Sequence, residues 1–197
     1  MDKSEILAVL GDSRALLTGH FKLSSGLHAR NYVQCALVQQ YPVRLAKLCG
    51  ALAEKWRDSG VTAVVGPAMG GIVLAYELAR HLNARGLFME RGASGAFEFR
   101  RGFEVFDDDR VLVAEDVVTT GKSVREVLDR LVDTGAHVVG VTSLVCRNPD
   151  VDFGTEYRAL IDLDIPAWDP ETCPLCAEGV PLTKPGSRPD RKDGGTA

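Results

Sequence analysis

The chain has 197 residues, 45% of them hydrophobic and 25% charged, with a formal net charge of -4. This composition is typical of a globular protein that buries one substantial core, so we predict a single domain over residues 1–182. The acidic balance provides no general field for nucleic acid or an anionic membrane, and no run of 18 apolar residues predicts a membrane span.

The N-terminal residues lack the features of a secretory signal, because acidic residues flank a short apolar run and no small-residue cleavage site follows. The five cysteines are irregularly spaced, which disfavours a secreted disulfide framework. We therefore expect a cytoplasmic protein.

The first predicted elements in chain order are a hairpin and a helix. Residues 19–35 predict a hairpin that turns near residues 25–26. Apolar residues then recur at helical spacing over residues 42–56, with proline in the first turn and Gly60 beyond the end.

Two strand–loop–helix units follow, at residues 62–82 and 110–132, and residues 137–147 predict a further strand. The strands are almost entirely apolar, which is typical of parallel strands that helices cover on both faces. We predict an α/β fold with a mainly parallel central sheet flanked by helices. Ligands of such sheets bind at the carboxyl ends of the strands.

Two segments are less regular. Residues 91–109 predict a mobile loop with a β-hairpin, because glycine recurs there among charged and aromatic residues. Residues 183–197 are rich in proline, glycine and charge, and predict a disordered C-terminal tail.

The sequence VLVAEDVVTTGKS at residues 111–123 carries the clearest chemical signal. Glu115 and Asp116 follow a buried strand, and a threonine- and glycine-rich turn then enters a helix. Backbone amides and the helix dipole at such a turn favour an anion. Carboxylates beside a phosphate site indicate a ligand with both hydroxyls and phosphate, such as a sugar phosphate.

Two other interpretations of this stretch exist. Glu115 and Asp116 could be a solvated acid pair at the end of a strand. TGKS also matches the end of the nucleotide-binding pattern G-x-x-x-x-G-K-[ST], but that pattern requires glycine where this chain has Asp116. A carboxylate there would occupy the space of the phosphate.

The stretch resembles the phosphoribosyl pyrophosphate signature of type I phosphoribosyltransferases. FKLSSG (21–26), VGPAMGGIVLA (65–75), EDVVTTGKS (115–123) and VCRNPD (145–150) resemble, in order, blocks of the orotate phosphoribosyltransferases. The resemblance spans about residues 10–182. It implies the type I fold with a small N-terminal hood and a flexible β-hairpin loop, and transfer of phosphoribosyl to orotate in pyrimidine synthesis.

The resemblance also implies roles for particular residues. Glu115 and Asp116 would hold the ribose hydroxyls, and orotate would contact Thr119, Arg147, Tyr32 and Val33. Arg147 could instead be a solvated arginine in a surface turn. The whole predicted phosphoribosyl pyrophosphate site comprises Glu115, Asp116, Val117, Val118, Thr119, Thr120, Gly121, Lys122 and Ser123.

The loop at residues 91–103 departs from the family, which places lysines and a histidine there. The basic residues of this chain in that segment are Arg91, Arg100 and Arg101. We expect these arginines to supply the missing charge, in a lid shared between the subunits of a homodimer. An ordinary exposed hairpin is the alternative.

We expect Mg²⁺ to be bound mainly by the substrate's pyrophosphate and by water, with no protein metal site. CPLC at residues 173–176 suggests zinc, but a lone C-x-x-C is a weak signal, and packing around a turn is the preferred interpretation. His20 and His28 are marginal candidates for the pocket. A purine-type phosphoribosyltransferase and a non-catalytic regulator that senses phosphoribosyl pyrophosphate are the rival functions.

Overall fold

The computed structural model of the chain describes residues 1–23 and 25–185. Its α-helices are, in chain order, α1 (Lys3–Asp12), α2 (Ala36–Gln39), α3 (Pro42–Glu54), α4 (Gly70–Leu82), α5 (Lys122–Val132) and α6 (Pro174–Ala177). Its strands are β1 (Leu16–Lys22), β2 (His28–Val33), β3 (Ala63–Pro67), β4 (Arg85–Arg91), β5 (Phe97–Glu98), β6 (Arg110–Val118), β7 (His137–Cys146), β8 (Tyr157–Asp162) and β9 (Ala167–Trp168). None of the described helices is long and apolar enough to cross a membrane.

The described residues form two compact units, residues 1–15 with 35–164 and residues 16–34 with 165–185. The larger unit contains a six-stranded sheet in the order β5-β4-β3-β6-β7-β8. β4, β3, β6, β7 and β8 pair in parallel, and only the two-residue β5 is antiparallel to its neighbour. The predicted α/β fold with a mainly parallel sheet is therefore confirmed.

The apolar strands of this sheet are buried on both faces. Val65, Val113 and Val141 share one core cluster with Val124 and Val127 of α5. Side chains of a strand alternate between faces, so Val64 and Leu112, also fully buried, point to the other side, where α4 packs on β3 and β6. Because both faces of the sheet are covered, the side chains on both faces are apolar, whereas a sheet with one face in water would carry polar side chains on that face.

Several elements are not predicted from the sequence, among them α1, β4 and β8 and the short elements α2, β9 and α6. α1 begins at a capping box in which Asp2 accepts from Glu5 N and the Glu5 side chain accepts from Asp2 N. That D-x-x-E pattern is a helix-start signal, although the acidic residues were interpreted only as evidence against a signal sequence. β4 and β8 are partly exposed strands with less continuous apolar character, so their pattern was weak.

The smaller unit is a three-stranded antiparallel sheet in the order β1-β2-β9. β1 and β2 form the hairpin expected from residues 19–35. β9 comes from the C-terminal part of the chain and pairs with β2, with His28 opposite Trp168. The small N-terminal element is thus built from both ends of the chain, which the sequence did not indicate.

The division at residue 182 stays a prediction. Thr183 donates from its amide to His20 O at 2.9 Å, and its carbonyl accepts from Lys22 N at 2.8 Å. The first residue of the predicted tail therefore continues the hairpin unit. Residues 186–197, the rest of that tail, lie outside the described residues, as does Ser24.

Candidate active site

The acid pair lies at the carboxyl end of a central strand. β6 is flanked by β3 and β7, and it includes Glu115 and Asp116 and continues to Val118. Glu115 and Asp116 are both partly buried. The two carboxyl groups also share a hydrogen bond, which places them together at the end of β6.

The surroundings of these carboxylates disfavour their charge. Glu115 Oε1 accepts from Asp116 N at 3.1 Å, and Asp116 Oδ1 accepts from Val117 N at 2.8 Å. Burial raises the pKa of Glu115 well above its usual range, and the neighbouring Asp116 charge raises it further. Burial also raises the pKa of Asp116, although hydrogen bonds with the Glu115 side chain and the Val117 amide oppose the change. Raised acid pKa values in a cleft are typical of functional sites.

Two glycines let α4 begin beside Asp116. A Cβ built on Gly70 would lie 2.7 Å from Asp116 Oδ2, and one on Gly71 would lie 3.0 Å from Ala114 O. No larger residue fits without moving the carboxylate. The sequence GPAMGG was recognised as a loop, but its close approach to Asp116 could not be predicted because the two segments are 45 residues apart.

The short helix α2 supports this arrangement. The Gln39 side chain donates to Gly70 O at 3.0 Å, and the Cys35 thiol donates to Asp116 O at 3.7 Å. Both contacts hold backbone groups next to the acid pair. Sequence reasoning missed these two residues, since neither belongs to a recognisable motif.

The predicted phosphate loop has the geometry of an anion site. Gly121 adopts a left-handed conformation with φ of 73° and begins α5 without a side-chain cap. Thr119 and Thr120 are exposed beside it. The Arg125 guanidinium donates to Thr120 O at 2.6 Å and so holds the loop closed. The uncapped amides and the helix dipole make this terminus suitable for a phosphate group.

Arg147 is placed next to the same edge. β7 ends at Cys146, and the Arg147 amide donates to Val118 O at 2.8 Å. The expected position of Arg147 at the carboxyl edge of the sheet is confirmed, and its contact with orotate stays a prediction. Tyr32 and Val33 lie on β2, where the Tyr32 ring packs against Phe21 with centroids 5.8 Å apart. Their role at an orotate site also stays a prediction.

The three loop arginines are exposed and paired within their own chain. Arg91 donates to Glu126 Oε2 at 2.7 Å, and Arg101 donates to Glu90 Oε1 at 3.0 Å. Arg100 Nε lies 3.7 Å from Glu98 Oε1. Exposed pairs of this kind contribute roughly 0–1 kcal/mol each, so another anion could replace the glutamates at small cost.

The loop is also anchored by aromatic residues. Phe97 is only 2% exposed, and Phe103 packs edge-on against Phe88 with centroids 5.1 Å apart. The turn at residues 92–96 carries Gly92 and Gly95 and lies outside these contacts, whereas Gly102 directly precedes Phe103. Movement of that tip therefore needs less rearrangement than movement of the whole predicted loop.

Comparisons with known proteins agree with this geometry. The model of the phosphoribosyl transferase domain family matches residues 40–157. The orotate phosphoribosyltransferase of Carboxydothermus hydrogenoformans is 52% identical over 180 residues, covering 90% of this chain and 94% of that protein. The one from Pelotomaculum thermopropionicum is 47% identical over 189 residues, covering 95% and 99%. The chain belongs to the orotate phosphoribosyltransferase family.

The family fold extends to distant orotate phosphoribosyltransferases. The crystal structure of the one from Aeropyrum pernix matches with a TM-score of 0.68 at 24% identity, covering 80% of this chain and 93% of that chain. At this identity the likeness shows the fold. The resemblance inferred from the four sequence blocks is confirmed.

Proposed function

We propose that the protein transfers the phosphoribosyl group of phosphoribosyl pyrophosphate to orotate, giving orotidine 5'-monophosphate and pyrophosphate. Relatives of 47% and 52% identity over nearly their whole length are orotate phosphoribosyltransferases. The observation that carries the proposal is the partly buried pair Glu115 and Asp116, followed directly by the uncapped N-terminus of α5. This arrangement suits a ribose hydroxyl pair and a 5-phosphate on one ligand.

The acid pair explains how the bond to pyrophosphate is weakened. A ring nitrogen of orotate loses its proton to pyrophosphate or water and forms a bond to the anomeric carbon, while the bond from that carbon to pyrophosphate oxygen breaks. Positive charge develops on the ribose ring, as it does in glycoside hydrolysis. Carboxylates that accept from the ribose hydroxyls stabilise that charge most strongly where water is excluded.

The phosphate loop fixes the other end of the ribose. Amides at the start of α5 and the hydroxyls of Thr119 and Thr120 would bind the 5-phosphate, whose charge complements the helix dipole. Because these groups lie in the short connection between β6 and α5, close to Asp116, binding also orients the anomeric carbon. Gly121 and the bond from Arg125 to Thr120 O keep the loop in this form.

Magnesium fits this site as an ion carried by the substrate. At the end of β6 the donor set consists of the carboxylates of Glu115 and Asp116, which are hard oxygen ligands of the kind that Mg²⁺ prefers. They would supplement pyrophosphate oxygens and water. The bound ion would neutralise charge on the leaving pyrophosphate.

Arg147 is proposed to recognise the orotate carboxylate. It stands at the carboxyl edge, hydrogen-bonded through its amide to β6, and its planar fork suits bidentate pairing with a carboxylate. Hypoxanthine, guanine and uracil lack that carboxylate. The pairing would therefore favour orotate over these bases.

The hairpin is proposed to act as a lid over pyrophosphate in a cytoplasmic homodimer. Exchange of the glutamate partners of Arg91, Arg100 and Arg101 for pyrophosphate oxygens would keep each arginine paired. Their exposure makes them available to a neighbouring subunit as well as to their own. The family resemblance adds the expectation that the loop acts between subunits.

Base selectivity tests the proposal. The purified protein is incubated with phosphoribosyl pyrophosphate and Mg²⁺, and the loss of orotate absorbance is followed beside hypoxanthine, guanine and uracil. Orotate should be the preferred substrate, with one pyrophosphate released for each orotidine 5'-monophosphate. Preference for a purine would assign the rival phosphoribosyltransferase activity, and binding of phosphoribosyl pyrophosphate without turnover of any base would favour a regulator.

A further inference from the structure

Four side chains of metal-binding type meet in the smaller unit. The proposed reaction assigns no role to any of them. His20 comes from β1 and His28 from β2, while Cys173 is the N-cap of α6 and Cys176 lies within that helix. One donor atom from each lies within 4.8 Å of all the others. His20, His28 and Cys173 are buried, whereas Cys176 is exposed.

The separations fit tetrahedral coordination. His20 Nε2 lies 3.0 Å from His28 Nδ1, 3.5 Å from Cys173 Sγ and 3.8 Å from Cys176 Sγ. Cys176 Sγ lies 3.3 Å from His28 Nδ1. Zinc bonds of about 2.3 Å to sulfur and about 2.0 Å to nitrogen place tetrahedral nitrogens roughly 3.3 Å apart and nitrogen and sulfur roughly 3.5 Å apart. The four observed distances all lie within a few tenths of an ångström of these values.

A carbonyl outside the cluster orients one of the histidines. His20 Nδ1 lies 2.8 Å from Val180 O. Because the carbonyl can only accept, the proton is assigned to Nδ1, and the lone pair of Nε2 then faces His28 and the two thiols. Metal-bound histidines use the same arrangement, in which the outer nitrogen donates to a carbonyl and the inner one binds the ion.

The composition of the cluster selects the ion. Two imidazoles and two thiolates in tetrahedral arrangement favour zinc, whereas Mg²⁺ requires oxygen donors in octahedral geometry. Four protein ligands fill the coordination sphere and leave no position for water or substrate, so the site is structural and not catalytic. It is thus different in kind from the magnesium proposed for the reaction.

The smaller unit has a physical need for such a crosslink. Its buried apolar side chains are few, among them Phe21, Ala29, Val33 and Leu175. Small units with a limited core commonly depend on a metal or on disulfides for stability. Residues 165–185 contact β1 and β2 through the short pairing of β9 with β2 and through the backbone hydrogen bonds of Thr183. Because these backbone contacts are few, a bound ion would stabilise the attachment of this segment.

We propose that His20, His28, Cys173 and Cys176 bind one structural Zn²⁺ ion that fastens the C-terminal segment to the β1–β2 hairpin. Packing of CPLC around a turn, the interpretation that the sequence favours, does not account for the two histidines. They are separated from the cysteines by about 150 residues of sequence, and only the fold brings the two halves together.

Metal content tests the proposal directly. The full-length protein is purified from zinc-supplemented culture and its metals are measured by plasma mass spectrometry. We expect one zinc per chain in the wild type, retention in Cys49→Ala, and loss in Cys176→Ser. Cys49 is a buried helix residue outside the cluster and Cys176 is exposed, so the control is the more disruptive change for folding. Full zinc in Cys176→Ser, or none in the wild type, would overturn the proposal.

A second measurement does not depend on any variant. Zinc is removed from the wild type with a chelator under reducing conditions, and cobalt is then titrated in. One equivalent should produce the intense visible bands of tetrahedral cobalt and its thiolate charge-transfer band, and zinc should restore the melting temperature that the chelator lowered. Octahedral cobalt spectra, or a Cys173–Cys176 disulfide in place of two thiols in the freshly purified protein, would overturn the assignment.

Discussion

The acid pair, Glu115 and Asp116, and the arginine hairpin, residues 91–103, differ in how their charges are surrounded. Glu115 and Asp116 are partly buried, and their hydrogen bonds come from backbone amides and from each other. Arg91, Arg100 and Arg101 are 38%, 55% and 63% exposed in their side chains, and each has a glutamate partner. A charge held without a counterion is ready to stabilise a cation that forms during the reaction. A charge with an exposed partner is ready to exchange it for a ligand.

The largest expected effect is on turnover when the acid pair loses its charge. Asp116→Asn keeps the shape of the side chain but removes the negative charge, so kcat should fall by about 10²–10³-fold. Glu115→Gln should change kcat in the same direction. Steady-state kinetics with orotate measures this, with circular dichroism as the control for folding. Wild-type turnover in folded Asp116→Asn would place the pair outside the chemistry.

Arg147 should show the next largest effect, and in KM more than in kcat. A hydrogen-bonded pair between Arg147 and the partly enclosed orotate carboxylate is worth about 2 kcal/mol, so Arg147→Ala should raise the KM for orotate roughly 30-fold. Arg158→Ala removes another arginine of the same sheet, one paired with Glu156. It should leave KM unchanged. An unaltered KM in Arg147→Ala would make Arg147 peripheral.

The arginine hairpin should give a smaller, salt-dependent effect. Replacing Arg100 and Arg101 with alanine should raise the KM for phosphoribosyl pyrophosphate about tenfold at low salt and less at high salt, because exposed charges are screened. Arg57→Ala with Arg80→Ala is the matched control, since these arginines have similar exposure and also pair with glutamates. Equal effects in the two double variants would reduce the loop arginines to surface charge.

Mixed dimers test whether the loop acts on the active site of the neighbouring subunit. One subunit carries Asp116→Asn, and the other carries alanine at Arg91, Arg100 and Arg101. If the loop acts between subunits, heterodimers regain one functional site that contains an intact acid pair and an intact lid. Demonstrated heterodimers without recovered activity would reject the crossing loop.

The smallest expected effect concerns the phosphate loop. Gly121 and Gly135 lie at the two ends of α5, both with positive φ, so alanine at either should cost about 1 kcal/mol through backbone strain. At Gly121 the added Cβ would also overlap Phe153, 2.6 Å away, whereas at Gly135 it would lie at an ordinary contact distance of 3.5 Å from the Asp107 side chain. Gly121→Ala should therefore lower the unfolding free energy more than Gly135→Ala, and it alone should raise the KM for phosphoribosyl pyrophosphate. Equal behaviour would contradict the proposed role of the tight turn.

The sequence predicted what depends on local pattern. The strand before Glu115, the helix from Lys122 and the edge position of Arg147 follow from apolar runs, turn residues and the geometry of parallel sheets. What it could not predict depends on segments that are distant in sequence. Gly70 meets Asp116, and His20 meets Cys173, only after the chain has folded.

We infer that Glu115 and Asp116 are kept at a cost in stability so that they can meet the ribose. A carboxyl whose pKa is raised by folding loses stabilising effect as pH rises from its ordinary value near 4 through the raised value, because the folded state binds the proton more tightly. The decisive measurement is the melting temperature of the ligand-free wild type and of Asp116→Asn between pH 4 and pH 8. We expect the two proteins to have similar melting temperatures near pH 4. Toward pH 8 the melting temperature of Asp116→Asn should rise progressively above that of the wild type, although the variant is nearly inactive. A variant that is less stable than the wild type at pH 8 would contradict this inference.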